Sequence, residues 1–98
     1  MSDGINPLIH IIAQTAWHDP AFIVGNREGL KRLRKAIDAA LLRPGAWTRA
    51  DECAADGEGY GVRVRCVTTA EMETAPYGYT DPVACGDAPW PAWMKRAR

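Results

Sequence analysis

The sequence predicts a small α+β fold: an antiparallel sheet of about four short strands, one long helix packed on it, and a Pro/Trp-rich C-terminal tail. Three observations predict it. Short β-branched apolar runs are bounded by turn residues, at 8–14, 21–24 and 60–67. A single segment, about 27–43, repeats apolar side chains at helical spacing. From Pro76 onward, Pro76, Gly78, Pro82, Gly86, Pro89 and Pro91 break the chain too often for a further long element. A chain of 98 residues has room for one core, so residues 1–98 are read as one domain.

The elements follow in order. Leu8-Ile9-His10-Ile11-Ile12 reads as a strand by length and residue type. Trp17-His18-Asp19-Pro20 is a turn, and Ala21-Phe22-Ile23-Val24 returns from it, so the two runs form an antiparallel hairpin. Gly25-Asn26 then supplies an N-cap. Leu30, Leu33, Ile37, Ala40 and Leu41 recur behind it until Arg43-Pro44-Gly45 ends the helix. Leu30, Leu33, Ile37 and Leu41 are expected to pack on the sheet, leaving Arg27, Lys31, Arg34 and Lys35 wet.

Residues 46–59 read as irregular or as a short edge strand, closing in a turn at Asp56-Gly57-Glu58-Gly59. Asp51, Glu52, Asp56 and Glu58 are expected to form a solvated acidic loop, because their spacing misses the calcium-loop pattern. Tyr60–Val67 alternates, placing Tyr60, Val62, Val64 and Cys66 inward and Arg63 and Arg65 on the other face. Thr69–Thr74 allows a brief helical turn. Residues 75–91 read as an ordered loop wrapped on the body, since Tyr77, Tyr79 and Trp90 are residues that disordered linkers lack.

Charge and cysteine content narrow the function. Twelve basic residues balance twelve acidic ones, so no global field draws the chain to nucleic acid or to an anionic membrane. No apolar run approaches the ~20 residues of a membrane span, and the N-terminus lacks a signal-peptide pattern, which together point to a cytoplasmic protein. Cys53, Cys66 and Cys85 fit neither a disulfide framework nor a zinc site and are expected to be reduced, Cys66 within the core. His10 and His18 have no carboxylates at ligand spacing, so no metal or cofactor is expected. No nucleophile sits beside a base, and the chain reads as non-enzymatic.

Two features suit binding. The helix start at Gly25-Asn26-Arg27-Glu28-Gly29 offers free amides beside Arg27, and Gly29 costs up to ~1 kcal/mol in a helix unless something approaches closely, whether a phosphate, a strand or another chain. Arg63 and Arg65, roughly 6.5–7 Å apart on one strand face, can grip adjacent phosphates or carboxylates. Trp17, Tyr77 and Tyr79 lie in loops where a ring can stack or insert into a partner. The candidate ligand-binding set is Trp17, His18, Asn26, Arg27, Arg63, Arg65, Tyr77, Tyr79 and Asp81.

The string Ile23-Val24-Gly25-Asn26-Arg27-Glu28-Gly29-Leu30 ahead of a helix, followed by an Asp56-Gly57-Glu58-Gly59-Tyr60 turn into an arginine-bearing strand, resembles small phage-encoded anti-Thoeris sponge proteins over about residues 8–81. That resemblance implies a non-enzymatic homo-oligomer that sequesters a cyclic ADP-ribose-type nucleotide and so blocks host antiviral defence in the host cytoplasm. Arginines would hold the diphosphate and an aromatic the adenine, roles that Arg63, Arg65, Trp17 and the Tyr77–Asp81 loop suit by type. The Gly25–Leu30 string also looks like bacterial toxin-immunity proteins, which bind a partner protein instead. Exposed aromatics and sheet edges lead to the expectation of self-association in either case.

Overall fold

The computed structural model describes residues 6–75 and 92–95. The elements run β1 (Ile9–Ile12), β2 (Phe22–Gly25), α1 (Arg27–Leu42), β3 (Thr48–Cys53), β4 (Gly59–Val64), α2 (Thr69–Met72) and α3 (Ala92–Lys95). The fold is α+β, with two antiparallel two-stranded sheets and one long helix. By compactness the chain divides into unit 1, Met1–His10 with Ile23–Cys66, and unit 2, Ile11–Phe22 with Val67–Arg98.

Where a sheet of about four strands was expected, β1–β2 and β3–β4 form separate ladders. A lone parallel bridge between Leu8 and Cys53 is the point where they meet, and there the Cys53 N–H donates to the Pro7 carbonyl at 2.7 Å. In that bridge the carbonyl facing Cys53 comes from Pro7, and Leu8 turns its own N–H and carbonyl the other way. Its N–H donates to Asn26 Oδ1 and its carbonyl accepts from the Asn26 N–H, both at 3.0 Å. Toward β3 the pairing goes no further at Pro7, which has no N–H to donate.

In α1, Asn26 is the N-cap: its Oδ1 accepts from the Gly29 N–H at 2.9 Å. At the other end Gly45 takes a positive φ of 89°, and its N–H donates to the Cys66 carbonyl at 2.9 Å, tying the helix exit to the end of β4. The buried stripe of α1 is Gly29, Leu33, Ala36 and Ala40, packed against β3. This corrects the expected packing face, since of Leu30, Leu33, Ile37 and Leu41 Leu33 alone is buried. The small residues let the helix backbone approach the strand. Close approach shows directly in Thr48, whose hydroxyl donates to the Ala36 carbonyl of α1 at 2.7 Å.

The segment read as irregular, or at most a short edge strand, is a full strand, with Thr48 opposite Val64, Ala50 opposite Val62 and Glu52 opposite Tyr60. Thr48, Ala50 and Glu52 face α1; Arg49 and Asp51 face away. The turn closes through Ala54 N–H to Glu58 carbonyl at 2.8 Å, with Gly57 at φ 92°. Cys66 is half-buried rather than core.

Within unit 2, Thr68 and Glu71 form a reciprocal capping box for the short α2. The Trp93 indole N–H donates to Thr74 Oγ1 at 3.3 Å. Among the described residues no helix is long and apolar enough to cross a membrane.

Candidate functional site

Unit 1 contains a cleft of about 240 Å3 between α1 and one edge of β3. Arg32, Lys35, Ala36 and Ala39 line it from the helix, and Thr48, Arg49, Ala50 and Asp51 from the strand. Four consecutive strand residues can line one cleft only along the strand's edge, because their side chains alternate between faces. The cleft is therefore a groove whose second wall is main chain.

The register shows which main-chain groups point into it. Ala54 and Glu58 close a hydrogen-bonded pair at the hairpin end, so Glu52, Ala50 and Thr48 direct their amides and carbonyls toward β4. Cys53, Asp51 and Arg49 direct theirs the other way. Cys53 confirms the alternation by donating to Pro7, and Asp51 by accepting Arg32 Nη1 on its carbonyl at 3.5 Å. The Arg49 N–H, the Arg49 carbonyl and the Asp51 N–H face the groove without a partner among the described residues.

Charge around the groove is mainly positive, from Arg32 and Lys35 on the helix. The Arg49 guanidinium lies on the far face of the sheet, where its Nε reaches Asp51 Oδ1 at 2.7 Å. Gly61 makes room for it, since a Cβ there would stand 2.7 Å from Arg49 Nε. Arg63 is the register partner of Arg49 on that far face.

Glu52 departs from the expected solvated acidic loop. It is 2% exposed, with neither carboxylate oxygen hydrogen-bonded among the described residues. Burial pushes its pKa up, and the nearby positive charge of Arg32 offsets part of that rise. Its cross-strand neighbour Tyr60 donates to the Ile9 carbonyl at 2.6 Å. The Tyr60 pKa is also raised, by burial first and then by the Glu52 charge.

The sequence-derived candidates fall in different places. Asn26 has its side chain engaged within the chain, through Leu8, Gly29 and a bond from Nδ2 to the Asn6 carbonyl at 2.9 Å. Arg27 is exposed beside it. The close approach that Gly29 implies is made by the backbone of Leu8, which covers the helix start. Arg63 is exposed in β4, whereas Arg65 lies beyond the strand end, half-buried, with its guanidinium 5.5 Å from the Trp47 ring centroid. Trp17, 68% exposed, and His18 belong to unit 2. His18 takes a left-handed φ of 65°, and Gln14 Nε2 closes that turn by donating to the carbonyls of Ala16 and Asp19. Tyr77, Tyr79 and Asp81 lie outside the described residues.

Sequence reasoning missed Arg32, Arg49 and the open edge of β3. The available signal was the alternation in Thr48-Arg49-Ala50-Asp51-Glu52-Cys53, hidden because its inward positions are threonine, alanine and glutamate rather than large apolar residues. Among the described residues, no group of three or more His, Cys, Asp or Glu is placed to hold a metal ion. No protein-family model, curated protein or solved structure matches the chain.

Proposed function

We propose that this chain is a non-enzymatic binding protein that holds an anionic partner protein at the basic groove of unit 1, in the manner of an adaptor or immunity protein. The observation that carries the reading is the main-chain edge of β3, where the Arg49 N–H and carbonyl and the Asp51 N–H have no partner among the described residues and face Arg32 and Lys35 across the groove. Size decides between classes of occupant. At about 240 Å3 the groove is smaller than the ~300–1,000 Å3 that enclose a drug-sized ligand, so it suits a partner that lies along it and continues outside.

A second reading, sequestration of a phosphorylated nucleotide of the cyclic ADP-ribose type, is supported by the cross-strand pair Arg49 and Arg63 on the opposite face of the same hairpin. Paired guanidiniums suit a diphosphate. Thermal unfolding separates the two readings, because a ligand at 100 times its Kd adds about 2.7 kcal/mol. Polyglutamate is expected to raise the Tm of the native chain and to lose that effect in Arg32→Glu/Lys35→Glu. A shift produced instead by one nucleotide, and abolished by Arg63→Ala, would move the function to the far face.

A further inference from the structure

We propose that the occupant of the groove enters as a β-strand: an extended, acidic segment of another protein that pairs with the stretch of the β3 edge left unpaired among the described residues, at Arg49 and the Asp51 N–H, and lays its carboxylates toward Arg32 and Lys35. This inference rests on the binding reading above and specifies the partner's chemistry and conformation.

The main chain sets the geometry. Three groups, the Arg49 N–H, the Arg49 carbonyl and the Asp51 N–H, stand in the spacing that a neighbouring strand satisfies, two residues apart along one edge. An open edge of this kind is a template for another chain. At ~3.3 Å per residue, Thr48–Asp51 offers about 13 Å of edge, room for about four residues of a guest strand.

The same edge has already accepted one strand. Residues Pro7 and Leu8 occupy it at Cys53, through the parallel bridge and the Cys53 N–H to Pro7 carbonyl bond. The incoming segment must therefore end before Cys53. Beyond that end stand Asn6 and Pro7, and proline brings no amide hydrogen to extend the pairing.

Charge selects the segment. Arg32 and Lys35 rise from the helical wall, while the acid lining the groove, Asp51, is held by Arg49 on the far face. A guest with acidic side chains on its helix-facing side meets two cations, and a basic guest meets the same two as repulsion. Ala36 and Ala39 keep the wall low, so the guest backbone can reach the edge. The resulting site reads main-chain shape and charge pattern.

The test uses the full chain and two labelled octapeptide pools, one with Glu or Asp alternating with Val, Ile or Thr, the other with Lys in place of each acid. The expected result is binding of acidic peptides and not of the lysine pool. Bound peptide is expected to slow hydrogen exchange at the Arg49 and Asp51 amides at least tenfold, leaving the Thr48 and Ala50 amides unchanged. Arg49→Pro, which removes the edge donor at a position where proline fits an edge strand, is expected to weaken binding at least tenfold, and Arg49→Ala by less than threefold.

Binding of acidic peptides without protection at Arg49 and Asp51 would overturn strand addition while leaving the basic groove in place. Failure of every peptide to bind would overturn both. Protection of these two amides in the peptide-free protein would also overturn the inference, since the edge is then already filled. A rise of that protection with protein concentration would name a second copy as the occupant.

Discussion

Gly29, in the first turn of α1, lies against the backbone of Leu8, so that a Cβ on Gly29 would stand 2.7 Å from the Leu8 carbonyl carbon and 3.1 Å from the Leu8 nitrogen. The neighbour is main chain, held in place by its two hydrogen bonds to Asn26, and has little freedom to move aside. Gly29→Ala sets a gain in helix propensity of about 1 kcal/mol against overpacking of about 1–3 kcal/mol or more. The expected outcome is a net loss of stability in urea unfolding. Gly59→Ala serves as the control, because a Cβ there makes ordinary contact at 3.9 Å.

Asn26 holds the same junction from the other side, capping α1 and receiving Leu8 on one oxygen while its amide donates to Asn6. Asn26→Ala removes the cap, worth about 0.5–2 kcal/mol, and leaves the half-buried Leu8 N–H unsatisfied at a further cost of about 1–3 kcal/mol. Asn26→Asp keeps the acceptor and loses the bond to Asn6. Chemical denaturation is expected to rank native above Asn26→Asp, and Asn26→Asp above Asn26→Ala.

Gly61 meets its neighbour differently. A Cβ there would crowd the Arg49 guanidinium, the far end of a flexible and exposed side chain. The side chain can swing away and give up its exposed ion pair with Asp51, a contact worth about 0–1 kcal/mol. Gly61→Ala is therefore expected to cost less than Gly29→Ala, even though both clashes begin within 3 Å. Comparing the two urea midpoints tests whether backbone or side chain is the rigid partner.

Much of the fold was legible because it depends on local signals. The cap at Asn26, the stop at Arg43-Pro44-Gly45 and the turn at Gly57 act within a few residues, and each stands where the sequence placed it. The helix face was misread for a physical reason. Leu30, Ile37 and Leu41 carry the stronger apolar signal, but the buried face is set by close approach, which Gly29 allows against Leu8 and the small Ala36 and Ala40 allow further along the helix. Leu41 remains 62% exposed. The groove was hidden for a related reason. Its second wall is the backbone of β3, and which amides remain unpaired depends on the path of residues 6–8, a long-range fact with no local residue code.

Tyr60 ties β4 to β1 through its bond to the Ile9 carbonyl, and Ile9 is fully buried. Tyr60→Phe keeps the ring and removes the hydroxyl, so the expected loss is about 0.5–1.5 kcal/mol, the net worth of one hydrogen bond. An unchanged unfolding midpoint would show that water replaces the hydroxyl at Ile9.

Glu52 gives the fold a pH dependence whose sign can be worked out. Its folded-state pKa lies above the ordinary 4.5, because burial disfavours the charged carboxylate more than the Arg32 charge favours it. Between 4.5 and that raised value the folded protein holds a proton that the unfolded chain has released. Unfolding then releases protons, and stability falls as pH rises through this window. The contribution of Glu52 is fully present below 4.5 and lost above the folded value, the reverse of a carboxylate held by a salt bridge. Glu52→Gln cannot ionise, so its stability is expected to lose this part of the slope, and the difference between native and variant should grow with pH and then level off. Urea unfolding of both proteins from pH 4 to pH 8 checks this. A difference that stays constant across the range would mean that the Glu52 carboxylate ionises in the folded protein as it does in the unfolded chain, with Arg32 cancelling the cost of its burial.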